Sequence, residues 1–246
     1  VKFPRFFILI KLINNRLGEL AKTKKIYKMD IFEIEKSINS FNNGNIKCSL
    51  HDFNGAIIDF SNAIELNPSF SIAYNNRGNA KVRIKDYIGA MDDYNMSILF
   101  EDLNQTIYEV YFNRGALKGI LHNYKGAIED YTIAIEKNPK YTNAYFNRGI
   151  SKDNLQMYSN AIDDYTKAIE LDVNYKDAYY NRGNSKFNIQ DNYGAINDYS
   201  IVIQIDPNFA LAYYNRGVSK ILLGNKESAY LDLIKAGELG FDEAYN

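Results

Sequence analysis

Asparagine and arginine stand side by side six times in this chain, and at five of these places, Asn76-Arg77, Asn113-Arg114, Asn147-Arg148, Asn181-Arg182 and Asn215-Arg216, a glycine follows the pair. The two side chains suggest recognition chemistry. A carboxamide carries both a donor and an acceptor, so a row of them can pair with the N–H and C=O groups of a passing peptide. A guanidinium is permanently charged and forks onto a carboxylate. Catalysis has no comparable footing, because Asp, Arg, Lys and His occur at repeating or isolated places and supply no nucleophile–base pair. An enzyme is therefore not expected.

The charged partners repeat in the same register. Lysine follows the glycine by three residues at Lys47, Lys81, Lys118, Lys152, Lys186 and Lys220, and aspartate by fifteen at Asp59, Asp93, Asp130, Asp164, Asp198 and Asp232. Arginine and lysine four apart share one helical face, so something acidic should oppose them. The expectation is an Arg–Asp ladder in which Arg148 meets Asp164 or the previous unit's Asp130. The lysine stems are expected to lie along apolar surface.

These side chains need a repeating scaffold. The arginines at 77, 114, 148, 182 and 216 are 37, 34, 34 and 34 residues apart, and one period upstream the register lands on Asn43-Gly44. Such a period means supersecondary units stacked in a row. In the fourth unit Ala144, Tyr145, Arg148, Gly149 and Lys152 keep helical spacing, Leu155 to Tyr158 interrupt it, and Ala161, Ile162, Tyr165, Ala168 and Ile169 resume it. Two antiparallel helices of about 14 residues follow from the short connection. Glycine costs a helix interior about 1 kcal/mol against alanine, so Gly44, Gly78, Gly115, Gly149, Gly183 and Gly217 need a packing reason. Close contact with a second helix supplies one. That helix carries an alanine twelve residues after the glycine and, in five units, an aromatic four further on: Phe60, Tyr94, Tyr131, Tyr165 and Tyr199. Pro68, Pro139 and Pro207 end second helices. The longer spacing places an enlarged loop between the second and third units, at Glu101 to Ile107.

With its 34-residue helix-turn-helix unit and its small, aromatic and proline positions, the chain resembles the tetratricopeptide repeat family. The resemblance implies an all-α, right-handed superhelical solenoid of six antiparallel helix pairs over residues 37–243, with an N-terminal extension at 1–36 and a tail at 244–246. It further implies a concave wall of first helices that holds a peptide or another protein. Asn42, Asn76, Asn113, Asn147, Asn181 and Asn215 match a position that points into the superhelix, and in a resembling array asparagines there grip a peptide backbone. Phe112, Phe146 and Tyr180, immediately before three of them, are the expected neighbours, either touching the ligand or packing against the next first helix. With units about 10 Å apart and an extended peptide advancing about 3.3 Å per residue, one asparagine would meet every third residue. The family's lysine clamp for a terminal carboxylate is not expected, since lysine never precedes the ladder asparagine.

Composition narrows the partners. At 29 basic and 30 acidic residues in 246 the chain lacks the surplus positive charge that nucleic-acid binding needs. One cysteine, Cys48, and two histidines, His51 and His122, suggest neither a disulfide nor a metal site, and no cofactor is expected. The apolar run Phe6 to Ile10 is cut by Lys11, too short for a signal core or a spanning helix, which favours a cytoplasmic protein with no membrane insertion. Met29 reads as a natural start, with residues 1–28 as upstream or added sequence. The last helix, Lys226 to Leu239, carries Leu231, Leu233 and Ile234. Its cover is the last residues folding back, further chain, or a second copy, as in a self-associating structural protein. Service as a non-catalytic module of a larger enzyme complex is a further alternative.

Overall fold

The computed structural model describes residues 31–100 and 107–241. They form twelve helices and, among these residues, no strand. The helices pair into six hairpins: α1 (Ile31–Ser49) with α2 (Phe53–Leu66), α3 (Ser71–Arg83) with α4 (Tyr87–Leu99), α5 (Ile107–Ile120) with α6 (Tyr124–Lys137), α7 (Thr142–Asn154) with α8 (Tyr158–Leu171), α9 (Lys176–Asn188) with α10 (Asn192–Ile205), and α11 (Ala210–Leu222) with α12 (Lys226–Glu238). The extension before Ile31 with its start at Met29, the loop residues 101–106 and the tail 244–246 lie outside the described residues.

One residue in the left-handed region closes each hairpin: His51, Lys85, His122, Gln156, Gln190 and Gly224, at φ 58 to 81°. The N–H of the residue after it returns to the repeat lysine's carbonyl, as in Asp86 N to Lys81 O at 2.9 Å, which satisfies an otherwise orphaned helix-end acceptor. In four hairpins the second helix is then capped by a side chain, Asp52, Asp86, Asn123 or Asp191, accepting from the N–H of Gly55, Gly89, Gly126 or Gly194 at 2.9 to 3.1 Å. A Cβ on Gly55 or Gly194 would collide with the Asp52 or Asp191 carboxylate, so cap and glycine come together. Met157 and Asn225, where Asn160 and Ser228 replace that glycine, make no side-chain cap.

The repeat glycines seat the aromatic rings of the second helices. A Cβ on Gly44, Gly78, Gly115, Gly149 or Gly183 would lie 2.6 to 3.0 Å from a ring carbon of Phe60, Tyr94, Tyr131, Tyr165 or Tyr199, and on Gly217 it would meet Leu233 at 3.1 Å. These rings and the alanines beside them are buried. The hairpins join through clusters such as Ala134, Ile135, Ala144, Tyr145, Ala168, Ile169 and Ala178, which run from one unit into the next.

The charge ladder closes within each unit. Arg77, Arg114, Arg148, Arg182 and Arg216 fork onto Asp93, Asp130, Asp164, Asp198 and Asp232 of their own hairpin, Nε and Nη2 reaching the two oxygens at 2.6 to 3.0 Å. Asp130 is therefore the partner of Arg114, not of Arg148. The lysines join the same pairs. Their ammonium groups do not stop at apolar surface but reach the same carboxylates at 2.6 to 2.8 Å, as Lys81–Asp93 and Lys152–Asp164 do. The physical reason is that a buried carboxylate with four lone-pair sites has room for a second cation, which offsets its desolvation. In the first hairpin Asn43 replaces arginine and Lys47 alone pairs with Asp59, at 2.7 Å.

The arginines also reach backwards. The remaining nitrogen, Nη1, donates to the preceding hairpin's Ser61, Asn95, Thr132, Thr166 or Ser200 at 2.8 to 3.0 Å. At this place α12 has Ile234. First helices of successive units also touch one another, whereas second helices pack mainly against first helices. The stack therefore curves with the first helices inside, as a solenoid of six antiparallel helix pairs.

Candidate functional site

The inner wall carries the asparagine row, and three of its amides bridge hairpins. Asn76 Nδ2 donates to Asn45 Oδ1 at 2.9 Å, Asn113 Nδ2 to Asn75 Oδ1 at 3.1 Å, and Asn215 Nδ2 to both the Tyr180 hydroxyl and Asn184 Oδ1 at 3.1 Å. Asn76 is engaged on both sides, because its Oδ1 accepts from Asn75 Nδ2 at 3.2 Å. Asn147 Nδ2 donates to the Asn143 carbonyl of its own helix at 2.8 Å. Asn42 is exposed, and Asn181 is half-buried. The wall thus presents carbonyl oxygens at Asn113, Asn147 and Asn215 and a whole amide at Asn181.

The residues before the asparagines form the seam between units. Phe112 lies 5.0 Å, centroid to centroid, from Tyr141 and 5.6 Å from Tyr131; Phe146 lies 4.8 Å from Tyr175 and 5.9 Å from Tyr165; Tyr180 lies 5.1 Å from Phe209 and 6.0 Å from Tyr199. Each ring joins its own second helix to the residue that leads into the next unit. Burial pushes the Tyr141 and Tyr175 hydroxyls up to about 12, so both remain neutral. These rings fix the spacing of the rungs on either side.

Two cavities open between rungs, each of about 330 Å³. The first lies among the first three hairpins and is mainly apolar, with Cys48, Val82, Ala116, Leu117 and Ile120 in its lining and Asn113 at its wall. The second lies between the last two, lined by Phe187, Tyr199, Tyr214 and Val218 with Asn184 and Asn215. Of the expected site residues, Asn113 and Asn215 line cavities, whereas Phe112, Phe146 and Tyr180 do not. Sequence reasoning missed the row four residues past the glycine, to which Cys48, Val82 and Phe187 belong. Its available signal was register alone, since no residue type repeats there.

The same row holds Asp153 in the fourth unit. Its carboxylate accepts from the Tyr165 hydroxyl at 2.7 Å and from Ser185 Oγ of the next hairpin at 2.8 and 3.0 Å. Burial pushes its pKa up, and those two hydrogen bonds pull against that rise.

Comparison with known families rests on this hairpin. The profile of the tetratricopeptide repeat family matches residues 142–175, the span from the start of α7 to the residue before α9, and the other hairpins repeat its register and packing. The chain is a tetratricopeptide repeat protein. Among solved structures, this tetratricopeptide repeat array is similar to YrrB, described as a TPR protein with an unusual peptide-binding site, at 25% identity and a TM-score of 0.63 over 78% of this chain and 94% of that one. It is similar in fold to MamA, at 21% identity and a TM-score of 0.64 over 72% and 94%. It also shares the fold of pilF of Pseudomonas aeruginosa, at 14% identity and a TM-score of 0.71 over 86% and 97%. No curated protein matches it significantly. No helix of the described tetratricopeptide repeats is long and apolar enough to cross a membrane.

Proposed function

We propose that the protein is a non-catalytic interaction scaffold whose concave groove holds an extended peptide segment of a partner protein. The observation that carries the reading is the placement of ladder asparagines beside apolar cavities: Asn113 at the first and Asn215 at the second. A group able to read peptide backbone stands next to a hole able to take a side chain. YrrB, described as having an unusual peptide-binding site, lends support by similarity.

The bridging bonds change the energetics of the ladder. With the Nδ2 of Asn113, Asn147 and Asn215 already engaged, those rungs offer a peptide one acceptor each. At a net ~1 kcal/mol per hydrogen bond, four rungs reach only the lower edge of the ~4 to 15 kcal/mol lost on association. The cavities supply the remainder, since burying a large apolar side chain gives ~1.5 to 3 kcal/mol. Binding is weak, tolerant of sequence along most of the strand and selective at two anchor points.

Selection of random displayed peptides on the full chain, followed by titration of the recovered peptides, tests this. Replacing Asn113, Asn147 and Asn181 together by alanine is expected to weaken recovered peptides at least tenfold in a variant that keeps its helicity. Unchanged affinity would remove the asparagines from the site.

A second reading, self-association, is favoured by α12. Leu231 is 70% and Ile234 51% exposed there, while Leu233, expected beside them, turns inward onto Gly217. Light scattering at two protein concentrations, with Leu231→Lys as the control, separates a dimer from a monomer.

A further inference from the structure

We propose that Asp153 selects a basic side chain, an arginine or lysine lying between two apolar anchors of the bound segment. The proposal rests on the peptide-binding reading of the groove and adds the chemistry of the ligand.

Charge balance sets this residue apart. Each buried aspartate of the ladder beyond the first unit has an arginine and a lysine on it. Asp153 has neither. Among the described residues its partners are two neutral hydroxyls, Tyr165 and Ser185. Burial lifts its carboxyl, the response of a group short of positive charge. A cation brought by the ligand would supply what the protein withholds.

Register places that carboxylate on the ligand's path. Its counterparts in the first, second and fifth units are Cys48, Val82 and Phe187, and all three line the cavities. The third and sixth counterparts are Gly119 and Ile221, so the row contains one charge. The cavities flank the fourth unit, one before it and one after. With units about 10 Å apart and about 3.3 Å per extended residue, the basic residue falls about six residues from the first anchor, two units away, and about four or five from the second. Discrimination follows from burial, since a neutral side chain set against this carboxylate would remove water from it without replacing the lost solvation.

The test is the same peptide selection, run on the full chain and on Asp153→Asn. The wild type is expected to enrich peptides with a lysine or arginine between apolar residues, and Asp153→Asn to lose that preference. Replacing the basic residue of a recovered peptide by glutamine should weaken wild-type binding at least tenfold and leave Asp153→Asn binding within twofold. Ser185→Ala, which removes the bond between hairpins but keeps the charge, should retain the preference. If Ser185→Ala loses it as Asp153→Asn does, Asp153 acts as a latch between units and the proposal is overturned. Recovered peptides without a basic residue overturn it too, while leaving the groove reading standing. Recovery of no peptide at all overturns both.

Discussion

Tyr165 occupies the room that a side chain on Gly149 would need: its Cε1 stands 2.6 Å from the place of the missing Cβ. The ring is fully buried and its hydroxyl donates to Asp153, so it cannot swing aside without breaking a hydrogen bond. Gly149→Ala gains about 1 kcal/mol of helix propensity but overpacks the hairpin at a cost of about 1 to 3 kcal/mol. The expected result in urea denaturation is net destabilisation, relieved in part when Tyr165→Leu is added, because a Cβ opposite a leucine, as at Gly217, would lie 3.1 Å from it instead of 2.6 Å.

Asp164 holds two cations, Arg148 and Lys152, both at 2.7 Å. Asp164→Ala leaves those charges partly buried without their counterion and should cost about 3 to 5 kcal/mol. Thr132→Ala, which removes the acceptor for Arg148 from the preceding hairpin together with that hydroxyl's own bond to the Ile128 carbonyl, should cost about 0.5 to 1.5 kcal/mol. Equal effects of the two in equilibrium denaturation would contradict this division between intra-hairpin and inter-hairpin bonds.

Met157 makes no side-chain cap, and Asn160 stands where capped helices have glycine. Met157→Asp alone should gain little, because the Asn160 Cβ would crowd the new carboxylate as a Cβ on Gly55 would crowd Asp52. Met157→Asp with Asn160→Gly should stabilise by about 0.5 to 1 kcal/mol. The melting temperatures of the single and double variants check this non-additivity.

Asp153 has a folded-state pKa above its ordinary value, chiefly from burial. A carboxyl raised in this way favours the fold at pH below its unfolded pKa, and that contribution is lost as pH rises through the folded one. Asp153→Asn should therefore stabilise the chain at neutral pH, with the gain shrinking as pH falls into the carboxylate range. Urea midpoints of wild type and variant at pH 7 and pH 4 measure it, and a gain that grew on acidification would reverse the assigned sign.

The hairpins were legible because the residues that make them recur unchanged: a repeat glycine, an alanine twelve on, and a ring beyond it in most units. The pin between hairpins was not, because Ser61, Asn95, Thr132, Thr166 and Ser200 share an acceptor and not an identity. That an acidic group faces the lysines was legible, but not that each shares the arginine's own aspartate, since a long stem can lie along apolar surface and still bring its ammonium group to a carboxylate. The asparagine row was visible, but the bonds of Asn76, Asn113 and Asn215 depend on Asn45 and Asn184, which follow the repeat glycine where other units have Ala116, Ile150 or Val218, and on Asn75, which stands before a ladder asparagine where most units have an aromatic. The cavities stayed hidden because Cys48, Val82 and Phe187 have only their register in common.

Four of the six hairpins, the second to the fifth, carry both halves of the pin: an arginine reaching back and a small polar acceptor awaiting the next arginine. Such hairpins are exchangeable cassettes. Duplicating the fourth would lengthen the groove by one rung with every joint satisfied, whereas inserting a copy of the first, with Asn43, or of the sixth, with Ile234, would leave one joint unpinned. Groove length is thus a quantity that gene duplication can change in whole steps, with no new interface to invent.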